Sequence, residues 1–113
     1  MKVVFALDID GTVETSSGPV TVDRLMELEA FGADVWIVSP SGLSPNRRVT
    51  NPTTFKESIG GDRLTNLKTV KDEYLRIEGA RTQDFLWFYV SDNGDMEIAK
   101  QAGFIYIDRM SFI

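Results

Sequence analysis

Neither cysteine nor histidine occurs among the 113 residues. The first absence excludes disulfides, zinc–thiolate clusters and a thiol nucleophile. The second excludes a Ser-His-Asp triad, a histidine general base and nearly every catalytic zinc site. Chemistry in this chain therefore falls to carboxylates, lysine and hydroxyls, with a hard metal ion as the natural helper. Long apolar runs are missing too. Nothing approaches the roughly 18 apolar residues of a membrane span, and VVFAL near the start is too short for the apolar region of a signal peptide. The expectation is a cytoplasmic protein with no membrane partner. Positive charge is in deficit, with 12 basic against 17 acidic residues and a net charge of −5. That balance argues against a nucleic-acid or anionic-membrane binder.

What remains is the composition of an ordinary soluble domain, 42% hydrophobic and 26% charged. Its length suits one domain spanning residues 1–113. KVVFALD (2–8) is nearly unbroken in its apolar side chains, as a strand covered on both faces would be. GTVETSSGPV reads as a loop. TVDRLMELEAFG predicts a helix with Val22, Leu25, Leu28 and Phe31 inward and Gly32 as its stop. DVWIVS (34–39) is a second strand, and a short helix is expected near Thr53–Ile59. LKTVKDEYLRIEG predicts a helix with Leu67, Val70, Tyr74 and Ile77 on one face. FLWFYVS (85–91) is a third strand, with Trp87, like Trp36 in the second, read as core. DMEIAKQAGF predicts a helix that turns Met96, Ala99 and Ala102 inward, and FIYIDR (104–109) a final strand. This alternation predicts a three-layer, Rossmann-like α/β domain around a central parallel sheet.

In such a sheet the carboxyl ends of the strands share one edge, where ligands bind. The first strand brings Asp8 and Asp10 to that edge, the second Ser39 followed by Ser41, the third Asp92 and Asp95. Lys68 or Lys71 begins the helix that leads into the third strand. Bare acids so close together repel, and Mg²⁺ is the simplest resolution, since it takes a few carboxylates, waters and a substrate phosphate. The same parts suit phosphoryl transfer: a carboxylate nucleophile, a metal and a lysine to offset charge, a serine hydroxyl donor, and a second acid to move protons. Asp92 and Asp95 could instead cap the Met96 helix. Arg47 and Arg48, on the loop after the second strand, read as solvated charges.

Asp8-Ile9-Asp10-Gly11-Thr12 after an apolar strand resembles the first motif of the haloacid dehalogenase superfamily of phosphatases. WIVS ending in Ser39 resembles its second motif, and FYVSDNGDMEIAKQAGF its fourth. The resemblance runs from Lys2 to about Ile107. It implies that Asp8 is the nucleophile and a metal ligand. By the same resemblance Asp10 is the general acid/base and binds the metal through its carbonyl. Ser39 and Lys68 (or Lys71) would bind phosphate, and Asp92 would complete a Mg²⁺ site. The fourth motif departs from the family pattern in having Ser91 where glycine is usual and Asp95 three residues after Asp92.

Family members with a lid insert it after the first motif or between the second and third. Both gaps are too short here, so the resemblance implies a capless domain with an open site. Its partner would be a phosphorylated substrate, small or macromolecular, with oligomerisation as one way to cover the site. The competing expectation is a non-catalytic or degenerate module that keeps the fold and serves in regulation or binding. A response-regulator receiver fits less well, because its phosphoacceptor ends a later strand than its acid pair.

Overall fold

Apolar, β-branched runs and short capped amphipathic segments alternate along the chain, and they fold accordingly. The computed structural model describes residues 1–40, 55–92 and 94–112. In chain order the elements are β1 (Lys2–Asp8), α1 (Val22–Ala30), β2 (Asp34–Ser39), β3 (Lys56–Ile59) and α2 (Arg63–Leu75). They continue with β4 (Phe85–Ser91), α3 (Met96–Ala102), β5 (Ile105–Asp108) and the short α4 (Arg109–Phe112). The five strands make one all-parallel sheet in the order β3-β2-β1-β4-β5. The chain builds outward from β1 to β3, then returns to the other side of β1. The order therefore reverses between β1 and β4, and a crevice opens beyond their carboxyl ends.

Strand periodicity divides the core. Val4, Ala6, Trp36, Val38, Trp87 and Tyr89 face α2 and α3, meeting Leu67, Val70, Tyr74, Ala99 and Ala102. Leu7, Val35, Ile37 and Val90 face the other way, against Leu25 of α1 and Phe112 of α4. Helices thus cover both faces, which is why the central strands read as unbroken apolar runs. Thr21 caps α1 by accepting from the Arg24 N–H (3.1 Å), and Asp62 caps α2 by accepting from the Thr65 N–H (2.7 Å). Both tryptophans are core residues: Trp36 donates to the Tyr74 hydroxyl (2.8 Å) and Trp87 to the Thr82 carbonyl (3.2 Å). No helix among the described residues is long and apolar enough to cross a membrane.

Several expected boundaries shift. Lys56–Ile59 is a strand rather than part of a helix, and residues 53 and 54 lie outside the described residues. KESI has little strand propensity, but the open edge of β2 supplies hydrogen-bond partners that override it. Helix α2 begins four residues earlier than expected and ends at Leu75, which leaves Ile77 exposed. Phe31 falls just past the end of α1 and is 87% exposed, and Met96, at the first position of α3, also points outward. The last strand stops at Asp108. Arg109 starts a helical turn instead, and Phe112 folds under the sheet.

Candidate active site

Register places the first and fourth strands level at the crevice. Asp8 lies opposite Val38 of β2, and Leu7 lies opposite Val90 of β4, so Asp92 emerges one step beyond the level of Asp8 on the adjacent strand. The two acids therefore share one rim. The Asp8 side chain leaves β1 on the α2 face and is only 3% exposed. Its Oδ1 accepts the Ile9 N–H (3.0 Å), and its Oδ2 lies 3.8 Å from Nη2 of Arg63. Burial pushes the Asp8 carboxyl from 3.8 up to about 6. The Arg63 charge and the Ile9 N–H pull it back, while the nearby charges of Asp92 and Asp10 push it higher.

Residues 9–12 wrap tightly around this point. Gly11 has φ of +70°, and a Cβ there would overlap Oδ2 of Asp92. Only glycine lets the loop lie against the Asp92 carboxylate. Asp10 projects into solvent, where its Oδ1 accepts from the Ser16 hydroxyl (2.8 Å). Arg109, at the start of α4, donates from Nη1 to the Gly11 carbonyl and so ties the far end of the chain to this loop. Ser39 is buried at the end of β2, one step beyond Val38 and hence on the same rim. Its carbonyl accepts from the Gly60 N–H (3.0 Å) and from Nδ2 of Asn66 (2.9 Å).

The lysine expected here is not brought to the rim. Lys68 is exposed on α2 and Lys71 lies half-buried beneath α3, and neither figures among the charges acting on Asp8. The basic group beside Asp8 is Arg63, the first residue of α2. A cation is electrostatically unfavourable at a helix amino end, where the dipole is positive. Arg63 is held there by acids on either side: Nη2 faces Asp8, and Nε lies 3.2 Å from Oδ2 of Asp95. The Asp95 side chain makes no capping bond to α3. Its carboxylate instead accepts from the Tyr89 hydroxyl (3.3 Å) and the Ser91 hydroxyl (3.2 Å). Burial, with the Asp8 and Asp95 charges, holds the Tyr89 phenol well above its ordinary range, so it remains a donor. Ser91 thus has a structural reason to replace the expected glycine. Ser41, Arg47 and Arg48 lie outside the described residues.

Arg63, Asn66 and Arg109 were not anticipated from the sequence. One usable signal existed for the first two: Gly60-Gly61-Asp62 is a turn followed by a helix cap, which starts α2 at Arg63. Arg109 offered none.

Among the described residues no three acidic side chains are grouped closely enough to hold a metal alone. The donor set nevertheless suits Mg²⁺, which needs only one or two carboxylates alongside water and phosphate oxygens. Asp8 and Asp92 could supply the carboxylates and the Asp10 carbonyl a third oxygen. Burial chiefly raises the Asp8 pKa and the Asp92 and Asp10 charges add to it, and a divalent cation would counter both by stabilising the ionised carboxylate. Fold and site together define an α/β domain with buried Asp8 and its neighbour Asp92 at the topological switch point. No protein-family profile, curated protein or solved structure matches this chain.

Proposed function

We propose that this protein is a Mg²⁺-dependent phosphomonoester hydrolase of the haloacid dehalogenase type, with no cap domain. It works through an aspartyl-phosphate on Asp8. The observation that carries the reading is that Asp8, at the end of β1, and Asp92, just past the end of the adjacent parallel β4, share one rim, close enough for the Asp92 charge to act on Asp8.

Asp8 attacks phosphorus, forming the new P–O bond as the ester P–O bond breaks. Asp10, on the solvent side, gives its proton to the departing alkoxide. It then takes a proton from the water that attacks phosphorus, which returns Asp8 as a carboxylate and releases phosphate. Arg63 draws Asp8 toward its ionised form and faces the phosphoryl oxygens, the role the resemblance gives to Lys68 or Lys71. Ser39 donates a further hydrogen bond. Asp95, fixed by Tyr89 and Ser91, keeps Arg63 in line. When bound by Asp8, Asp92 and the Asp10 carbonyl, Mg²⁺ offsets the negative charge gathered around the phosphoryl group. With short connections at both lid positions, the site is open to bulky phosphorylated substrates or is closed by a second copy.

The test is turnover of an aryl phosphate with Mg²⁺, with EDTA and with Asp8→Asn. Metal-dependent hydrolysis that the variant abolishes supports the proposal. Hydrolysis unchanged in Asp8→Asn removes Asp8 as nucleophile, and inertness toward a broad panel of phosphoesters favours the binding-module alternative.

A further inference from the structure

The two lysines that the rim leaves out meet elsewhere. Lys68, Lys71, Asp72 and Leu75 recur on α2 at the spacing of one helical stripe. With Ala102 of α3 they line an open hollow of about 270 Å³. Lys71 lies about 12 Å along the helix from Arg63, by the axial rise of eight residues. Lys68, the lining residue nearest Arg63 along the helix, lies about 7.5 Å from it by the same rise, and neither Asp8 nor Arg63 lines the hollow.

We propose that this hollow is a second binding site, for a small hydroxylated phosphate ester. Lys71 is the strongest sign of it. Its ammonium lies over the ring of buried Trp87, with Nζ 5.3 Å from the ring centre, a cation–π contact. The ammonium also lies over Gly103, where a Cβ would come within 2.5 Å of it. Gly103 has φ of +80° and closes α3, so this close approach depends on a residue without a side chain. Neither Lys68 nor Lys71 forms an ion pair within 4 Å among the described residues. Partial burial holds Lys71 below the ordinary lysine range, and the Asp72 charge only partly offsets this. A partly buried ammonium beside an open cavity, with no carboxylate of the described residues within ion-pair distance, is stabilised by an arriving anion.

The rest of the lining narrows the ligand. Two ammonium groups three residues apart suit a doubly charged phosphate. The Asp72 carboxylate would repel a bare anion but accepts hydrogen bonds from hydroxyls. Leu75 and Ala102 offer a small apolar wall for a short carbon skeleton. The volume lies below the ~300–1,000 Å³ of pockets for drug-sized ligands, so the ligand is small.

This inference does not depend on the hydrolase reading, and it is tested without metal. Backbone amide NMR of the whole chain in EDTA is followed during titration with glycerol 3-phosphate, and separately with sulfate. Saturable shifts are expected at residues 68–75 and 102–103. Affinity should fall about tenfold in Lys71→Met, which keeps an unbranched side chain but removes the charge, and in Lys68→Gln. Sulfate should bind more weakly than the ester, and Asp72→Asn should narrow that gap. Shifts confined to residues 8–12, an affinity indifferent to both lysine changes, or sulfate binding as tightly as the ester would each overturn the proposal. Lys68 is exposed, so its variant keeps the test decisive if Lys71→Met folds poorly.

Discussion

Asp8→Asn should alter stability in a way that depends on pH, and the direction follows from burial. The folded chain holds the Asp8 carboxyl at about 6, against 3.8 in the unfolded chain. The fold thus prefers the protonated acid. Its contribution is fully present below pH ~3.8, falls as pH rises, and is gone above pH ~6. The shift is roughly two units, so the stability lost across that window is about 3 kcal/mol at 1.36 kcal/mol per unit. Asparagine has the same shape and no charge, and it escapes the loss. Urea unfolding of both proteins in EDTA at about pH 3.5 and 7.5 measures the difference between them at each pH. That difference should move in the variant's favour by about 3 kcal/mol, on the order of 10 °C in melting temperature. Every other titrating group is common to both proteins and largely cancels. Parallel pH profiles, or a variant that loses ground at neutral pH, would refute the argument that Asp8 is a buried, under-compensated carboxylate.

The remaining variants probe what surrounds it. Arg63→Met strands Asp8 and Asp95 without their shared cation. It should cost about 2 kcal/mol at neutral pH, discounted for partial exposure, and nearly all hydrolysis of an aryl phosphate, with Arg63→Lys recovering part of both. Asn66→Ala removes the donor to the Ser39 and Gly61 carbonyls and should cost about 2 kcal/mol in urea unfolding. Gly11→Ala meets both a positive φ and the Asp92 carboxylate. A loss of at least ~1–2 kcal/mol in thermal unfolding is expected, with activity falling further than stability alone explains.

How much of this was readable in advance depended on distance along the chain. The positions of Asp8, Ser39 and Asp92 are legible because each ends or directly follows an apolar strand, and a parallel sheet brings strand ends to one rim whatever lies between them. Strand β3 was hidden because Lys56 and Glu57 carry no apolar period, and pairing with Trp36 and Ile37 of β2 makes them a strand. The apolar period of α2 starts at Leu67, which points to Lys68 or Lys71 as the basic partner, whereas the helix itself starts after Asp62. The helix starts four residues earlier than its apolar period indicates, which puts Arg63 rather than Lys68 beside Asp8. Asp95 looked like a cap by position, but the hydroxyls of Tyr89 and Ser91 draw its carboxylate back under Arg63. The Arg109 link to Gly11 spans 98 positions and has no local signature at all.

The central claim is that Asp8 and Asp92 bind one magnesium ion together. Calorimetric titration of Mg²⁺ into the wild-type chain, Asp8→Asn and Asp92→Asn tests it most directly. One site per chain is expected in the wild type, lost or severely weakened in either variant. Wild-type affinity retained in Asp92→Asn, or no binding by the unaltered chain, would contradict the account.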